Sequence, residues 1–327
     1  MKYRRFGRLA WQVSDVGYGM WGVAGGEGGW TGSCVSTGME ALHHAIASGC
    51  NFFDTAWIYG RGESERMLGS ALRDHPEKKI YIATKVPPKN RVWPSRRGDR
   101  IEDIFPVSHI HEYVGRSLEC LGTDSIDLLQ FHVWEDAWAG EMSWQRVVED
   151  LKRQGMIGGI GISINRWEPT NVIDTLRTGL IDSVQVIYNI FDQAPEDQLF
   201  PLCRELDIGV IARVPFDEGS LTGMLCETTT WPDGDWRTSY FVPENLASTV
   251  ARVEALRAAL PTDANMARVA LRFILANDTV ATVIPGMRSV AHVDANLACS
   301  DAMPLAPREM ELLRQHRWDR KPTWWSQ

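Results

Sequence analysis

No stretch of this chain is apolar for long enough to cross a bilayer, neither end is a basic tail, and no linker rich in proline, serine or glycine divides it. A membrane-spanning helix is thereby excluded, and one domain over residues 1–327 is expected. The six cysteines (Cys34, Cys50, Cys120, Cys203, Cys226, Cys299) lie far apart, with no Cys-x-x-Cys pair. That spacing fits free thiols in a reducing compartment and offers no zinc site, so no metal is expected. Positive charge is also in deficit: 34 Lys and Arg against 42 Asp and Glu give −8. An electrostatic nucleic-acid binder is disfavoured, and a small-molecule ligand is expected instead. Met1-Lys-Tyr-Arg-Arg-Phe6 begins like the charged part of a secretory signal, but the apolar run and small-residue cleavage site are missing. A cytoplasmic protein is expected; its oligomeric state is not legible.

What the chain does have is rhythm. Eight short β-type runs recur, at Val16–Met20, Asn51–Thr55, Ile80–Lys85, Ser125–His132, Gly158–Ser163, Ser183–Tyr188, Gly209–Val214 and Thr282–Gly286. Between and after them lie amphipathic stretches near Thr37–Ser48, Glu63–Leu72, His109–Leu121, Ser143–Gln154, Glu168–Thr178, Glu196–Leu206, Asn265–Ala276 and Val290–Ala298. Alternation of this kind predicts a parallel sheet clothed by helices, and eight units predict a closed (β/α)8 TIM barrel. Tyr3–Arg5 and Gln12–Ser14 around Gly7-Arg-Leu9 predict an N-terminal β-hairpin capping the barrel floor. Two long loops, Pro87–Pro106 and Thr222–Pro243, follow strands, on the side where barrels of this kind carry function.

Charge collects at the strand ends. Asn51-Phe-Phe-Asp-Thr-Ala-Trp-Ile-Tyr-Gly60 delivers Asp54 and then Tyr59; Lys85 ends the third run and His132 the fourth. Successive barrel strands are neighbours, so the four should meet in one mouth. A phenol with a pKa near 10 is a poor acid or base at neutral pH unless its anion is stabilised. Lys85 beside Tyr59 would lower that pKa, Asp54 would keep the ammonium charged, and His132 would hydrogen-bond a carbonyl oxygen. Individually, Asp54 and Lys85 also read as a structural ion pair, Tyr59 as a packing residue and His132 as a core histidine.

With those residues in view, the chain resembles the aldo-keto reductase superfamily, bacterial type, over nearly its whole length. The Asn51–Gly60 segment with Glu63-Ser-Glu65 and Leu68-Gly69 is similar to that family's Asp-to-Tyr signature, Ile82-Ala-Thr-Lys85 to its lysine strand, and Asp127-Leu-Leu-Gln-Phe-His132 to its histidine strand. The resemblance implies a catalytic tetrad of Asp54, Tyr59, Lys85 and His132, with Tyr59 as general acid or base. It implies NADP(H), or alternatively NAD(H), bound in an extended pose, and an aldehyde, ketone or aldose exchanged for its alcohol. By the same resemblance Ser163, Asn165 and Gln185 would hold the nicotinamide, and Pro215, Phe216, Glu218, Ser220 and Leu221 would fold over the pyrophosphate. Gly286, Met287, Arg288, His292 and Asn296 would line the adenosine site, with Arg288 on a 2′-phosphate. Ile164 stands between Ser163 and Asn165 where the family has a Ser-Asn pair. Arg213 stands where an aromatic residue often stacks on the nicotinamide; a guanidinium plane can stack too.

Some signals point elsewhere. Gly17-Tyr-Gly19-Met-Trp-Gly22 matches the dinucleotide pattern G-x-G-x-x-G, but Val23–Gly29 reads as a loop where a helix is required, so Gly22 is expected to admit a cofactor and Trp21 to line a substrate mouth. Trp57 and Trp134 are expected beside Trp21. The basic run Lys89–Arg100 reads as a solvated loop, then as a substrate gate. Two other functions fit the same barrel. One is a non-catalytic NADP(H)-binding regulatory subunit, which the intact tetrad disfavours. The other is a hydrolase with paired carboxylates, for which Asp54 has no evident partner.

Overall fold

The computed structural model of the chain describes residues 1–24, 30–32 and 34–326. The hairpin comes first: β1 (Tyr3–Phe6) pairs antiparallel with β2 (Trp11–Ser14) across a 3-10 turn at Gly7–Leu9. Eight parallel strands follow in sequence order: β3 (Tyr18–Gly19), β4 (Phe52–Asp54), β5 (Tyr81–Val86), β6 (Ile126–Phe131), β7 (Ile157–Ser163), β8 (Ser183–Ile187), β9 (Gly209–Arg213) and β10 (Val280–Val283). Bridges Val16↔Val283 and Gly19↔Gly286 join the first of these to the last, so the barrel closes. Gly19 is required there, because a Cβ would meet the Ile284 carbonyl oxygen at 2.6 Å.

The helices are α1 (Val35–Ala47), α2 (Glu63–Asp74), α3 (Ile101–Ile104), α4 (Val107–Leu121), α5 (Met142–Arg153), α6 (Ile173–Arg177), α7 (Leu199–Glu205), α8 (Arg237–Tyr240), α9 (Pro243–Ala259), α10 (Met266–Leu275), α11 (Val290–Leu297) and α12 (Pro307–Arg314). The strand and helix expectations agree within a few residues. The exceptions are informative. The stretch expected at Glu168–Thr178 shrinks to the short α6, and α9 and α12 were not foreseen, although Leu246, Val250, Val253 and Leu256 form an apolar stripe after Pro243. The expected glycine-rich loop after Gly22 falls partly on residues 25–29, outside the described residues.

Strand alternation builds the barrel interior in layers. The lower layer is apolar: Phe52, Ala83, Leu128 and Ile211 cluster with Phe6 and Val13 of the hairpin. Phe6 is fully buried, lies 5.5 Å from the Phe52 ring and 5.6 Å from Trp11, and so plugs the barrel from below. Gly209 makes room for it, since a Cβ there would sit 2.7 Å from the Phe6 ring. Arg8 ties the hairpin to the carbonyls of Gly179 and Leu206 at 2.8 Å each. Two residues further along the same strands the inward positions turn polar, at Asp54, Lys85, Gln130 and Arg213. The plug therefore dries the floor beneath the polar layer.

Phe6→Ala should cost about 3–5 kcal/mol, the range for emptying a well-packed aromatic site. Urea unfolding of the variant checks this, and a loss below about 1 kcal/mol would show that the hairpin is not part of the barrel core.

Candidate active site

Asp54 is the last residue of β4 and pairs in register with Ala83, which places Lys85 one inward step above it on β5. Lys85 is in turn paired with Gln130, and Gln130 with Gly161. Gly161 matters, because a Cβ there would lie 2.3 Å from Ser183 Oγ and 3.2 Å from Gln130 Cγ. Tyr59 sits on the turn between β4 and α2, and His132 directly follows β6.

The four residues expected to meet do meet. Lys85 Nζ donates to Asp54 Oδ1 at 2.6 Å, to the Thr55 carbonyl at 2.8 Å and to Tyr59 Oη at 3.4 Å. The His132 and Tyr59 rings lie edge to face, 5.9 Å apart. The second oxygen of Asp54 accepts from Gln185 Nε2 at 2.6 Å and from Gln130 Nε2 at 3.1 Å. Asp54 is thus saturated by donors and turned away from any ligand.

Electrostatics follow from burial. Desolvation pulls the Lys85 ammonium down, but the Asp54 charge, Tyr59 and the hydrogen bonds to both outweigh it, and its pKa ends above the ordinary lysine value. Tyr59 differs from expectation. Burial raises it more than Lys85 lowers it, so the phenol titrates above 10 and holds its proton at neutral pH. His132 is driven well below the usual histidine range, first by burial and then by Lys85 and Arg213. A neutral imidazole results, with Nδ1 buried and unpaired.

The walls are aromatic, though not all the expected ones. Trp21 lies 6.2 Å from Tyr59 and 5.2 Å from Trp236, and Trp93 lies 5.6 Å from His132. Trp57 instead packs edge-on to Tyr113 of α4 at 5.0 Å, with Arg91 and Arg116 over its ring. Trp134 is fully buried against Phe131, Trp138 and Trp144 and donates Nε1 to Thr175 Oγ1. Trp57 thus leans on α4, and Trp134 is drawn into the frame because the chain after β6 turns back onto α5. Trp93 and Trp236 take their places; both come from the long loops, where no local pattern marks which side chains fold inward. The basic run around Trp93 is accordingly more than a solvated loop: Ser95 is buried and donates to the Trp134 carbonyl and Glu135.

The expected cofactor residues divide into three groups. Asn165 staples two loops together: its amide donates to Ser95 Oγ, the Trp134 carbonyl and Glu135 Oε1. Gln185 engages Asp54, as above, while Ser163 lies beside it in register, at the end of β7. The turn after β9 holds Pro215, Phe216, Glu218, Ser220 and Leu221; Glu218 pairs with Arg166 at 3.0 Å, and Ser220 donates to Asp217. Beyond β10, Gly286 is exposed with open space where a Cβ would point, and Met287 is buried and accepts from Tyr18 Oη. Arg288 lays its stem over Gly22 and reaches the Thr31 carbonyl at 3.0 Å. Ser289 caps α11 at the His292 amide, with Asn296 one turn further on. Among the described residues no cluster of three metal-ligating side chains exists, and no helix is long and apolar enough to cross a membrane.

Comparison with known proteins converges on one lineage. The model of the Aldo/keto reductase family matches residues 15–317. A curated relative, the NADH-specific methylglyoxal reductase of Escherichia coli (strain K12), is 30% identical over 91% of this chain and 94% of its own length. The uncharacterized oxidoreductase YqkF of Bacillus subtilis (strain 168) is also 30% identical, over 97% and 96%. Among solved structures, the holo form of aldo-keto reductase AKR11C1 from Bacillus halodurans superposes with a TM-score of 0.76 at 28% identity, covering both chains completely.

The depressed His132 pKa makes a stability prediction. Unfolded histidine takes a proton near pH 6.5, whereas buried His132 refuses it until lower pH, so its contribution is fully present above 6.5 and declines as pH falls below it. One such group gives a slope of up to about 1.4 kcal/mol per pH unit. His109, His292 and His316 are shifted in the same direction and add to it. Urea unfolding of wild type and His132→Gln at pH 7.5, 6.5 and 5.5 should show a shallower loss in the variant; parallel losses would remove His132 from the account.

Proposed function

The chain belongs to the aldo/keto reductase family of oxidoreductases, and from that premise we propose that it acts as one domain that interconverts a carbonyl and its alcohol with NADP(H), using Tyr59 as the proton donor and acceptor. The observation that carries this reading is the single ammonium of Lys85 held between Asp54 and the Tyr59 hydroxyl inside a closed barrel. A phenol that keeps its proton at neutral pH is suited to give it to a carbonyl oxygen. Lys85 then stands within hydrogen-bond distance of the phenolate that is left. This is where differential stabilisation arises, since the cation gains most when the charge on Tyr59 Oη develops. Neutral His132 beside Tyr59 is suited to donate a hydrogen bond that orients the carbonyl oxygen without competing for the proton.

A bound nicotinamide cofactor would supply the hydride for the carbonyl carbon and receive it in the reverse direction. The residues present fit such a group. Gly286 leaves backbone bare of a side chain, the capped N-terminus of α11 offers amide donors beside Arg288, whose stem lies over Gly22, and the turn at 215–221 borders the path between them. Arg288 favours the 2′-phosphate of NADP(H), for which a planar fork is well shaped. The Escherichia coli relative is named as NADH-specific, which keeps NAD(H) as the alternative. The substrate is a small carbonyl compound received among Trp21, Trp93 and Trp236.

Tyr59→Phe should lower kcat for carbonyl reduction by about 10²- to 10⁴-fold, the usual share of a positioned general acid, while titration of NADPH fluorescence still shows binding. Full activity in that variant would end the mechanism. Arg288→Ala should raise the KM for NADPH by at least about tenfold, the worth of one lost charge-assisted contact, and change that for NADH far less. Equal changes would place the arginine away from the 2′-phosphate.

A further inference from the structure

The basic run after β5 is seated on the barrel through one side chain. From Lys89 to Arg100 the five cations are all exposed, and Ser95 alone is buried. Ser95 Oγ has a single proton to give, and the Glu135 carboxylate is the nearest acceptor: Oε1 lies at 2.7 Å, against 3.0 Å for the Trp134 carbonyl and 3.3 Å for Asn165 Oδ1. Glu135 is 5% exposed and belongs to no ion pair among the described residues. Neutral donors surround it instead, Asn165 Nδ2 on the same oxygen at 3.1 Å and Asn171 Nδ2 on the other at 3.3 Å. A carboxylate buried without a cation is costly, and it persists only where such donors meet it. The seat therefore joins three loops, those after β5, β6 and β7. Arg97 adds little, since it reaches Glu168 only at 4.0 Å from a side chain that is 91% exposed. Just before the seat stands Trp93, edge to face on the His132 ring at 5.6 Å. Its Nε1 is buried with no partner, so no polar contact of its own holds the indole. Its place follows from the chain that carries it, and that chain is fastened at Ser95.

We propose that Glu135, acting through Ser95, is a positioning residue that holds Trp93 against His132, and that Trp93 in that place is the specificity-determining wall that limits the bulk of the carbonyl compound reaching Tyr59. His132 is the group suited to orient the carbonyl oxygen, so a ring packed on it bounds the space open to the carbonyl's substituents. A carboxylate suits the seat because it only accepts, and every group that meets it here donates: the Ser95 hydroxyl and the amides of Asn165 and Asn171. Without that acceptor the Ser95 proton passes to weaker neutral partners, the donors of Asn165 and Asn171 lose one of theirs, and the loop is released where it carries the indole. The basic run thereby gains a role in which its charges take no direct part: they keep the outer face of the loop in water while Ser95 fixes the inner one.

This inference rests on the proposed carbonyl reduction, and the test separates the two. The readout is the ratio of kcat/KM for biphenyl-4-carbaldehyde to that for benzaldehyde, two aldehydes that differ in bulk and share the reacting group. Because the ratio is taken within one enzyme, a general loss of activity cancels. Trp93→Ala should raise it at least about tenfold, the lower end of what a change in pocket size is worth. Glu135→Ala and Ser95→Ala should raise it about two- to tenfold, the worth of one hydrogen bond, and Glu135→Gln, which keeps one acceptor, should raise it less. Added to Trp93→Ala, Glu135→Ala should leave the ratio where it is, because the ring it positions is gone. An unchanged ratio in Trp93→Ala would overturn the proposal, as would shifts that multiply in the double variant, which is how a merely structural Glu135 would behave. If wild type reduces no carbonyl compound, the proposed function fails instead, and trypsin then decides the seat. Glu135→Ala should be cut after Arg96 and Arg97 at least about tenfold faster than wild type, with the rest of the chain resistant by mass spectrometry. Equal rates, or cleavage spread over the whole chain, would refute it.

Discussion

The Lys85–Asp54 ion pair is the constraint from which the rest of the site follows. Its Nζ–Oδ1 distance is 2.6 Å, and the two residues are 1% and 3% exposed. Burying both charges is costly, and the cost is met only when every remaining donor and acceptor is satisfied. Here they are: the ammonium also reaches the Thr55 carbonyl and Tyr59 Oη, and the second carboxylate oxygen takes two amides. Replacing one partner alone would strand a buried charge, typically at about 3–5 kcal/mol. The pair in turn sets the neighbours. Its fixed positive charge adds to burial in keeping the His132 imidazole neutral and opposes the upward pull of burial on Tyr59.

Such a pair needs a dry, rigid frame, and the barrel supplies it through strand periodicity. Four of the eight strands carry an apolar inward residue and then, two positions later, a polar one: Phe52 and Asp54, Ala83 and Lys85, Leu128 and Gln130, Ile211 and Arg213. The lower layer keeps water from the pair, and the hairpin's Phe6 closes it. Gly161 removes one side chain from this stack, giving Gln130 the space to stand beside Asp54.

That same periodicity explains what could be read in advance. The strands, their polar ends and the convergence of Asp54, Tyr59, Lys85 and His132 were legible because they depend on local spacing and on neighbouring strands in a barrel. Gln130 obeys the same two-residue rule, two positions after Leu128, but an amide carries no chemical flag. The direction of the Tyr59 shift was not legible, because it depends on how far burial outweighs Lys85, a property of the assembled site. Trp134 misled for a different reason: following a strand predicts the mouth only if the loop stays there, and this one folds onto Trp144 of α5. Trp93 and Trp236 enter the site from long loops whose paths are set by distant contacts, Ser95 on Trp134 in one case and Asp235 on Thr31 in the other.

The turn after β9 shows how such distant contacts hold the mouth in shape. Val214, Asp217 and Glu218 all have positive φ, at 55°, 46° and 57°, in a region that disfavours non-glycine residues and most of all a β-branched one. Each costs on the order of 1–3 kcal/mol. The offset comes from outside the turn. Arg320, in the segment after α12, donates to Asp217 at 2.7 Å and also pairs with Asp192; Ser220 donates to Asp217; Arg166 pairs with Glu218. Trp318 anchors that segment through its amide to the Phe191 carbonyl, and Trp325 packs on Tyr240 and Trp167. Because Arg166 is used on Glu218, Arg213, four strands away from Lys85 around the barrel, is left without an ion-pair partner among the described residues. The strained turn and the unpaired arginine are therefore one arrangement: the carboxylate that could have neutralised Arg213 is the one that holds the turn.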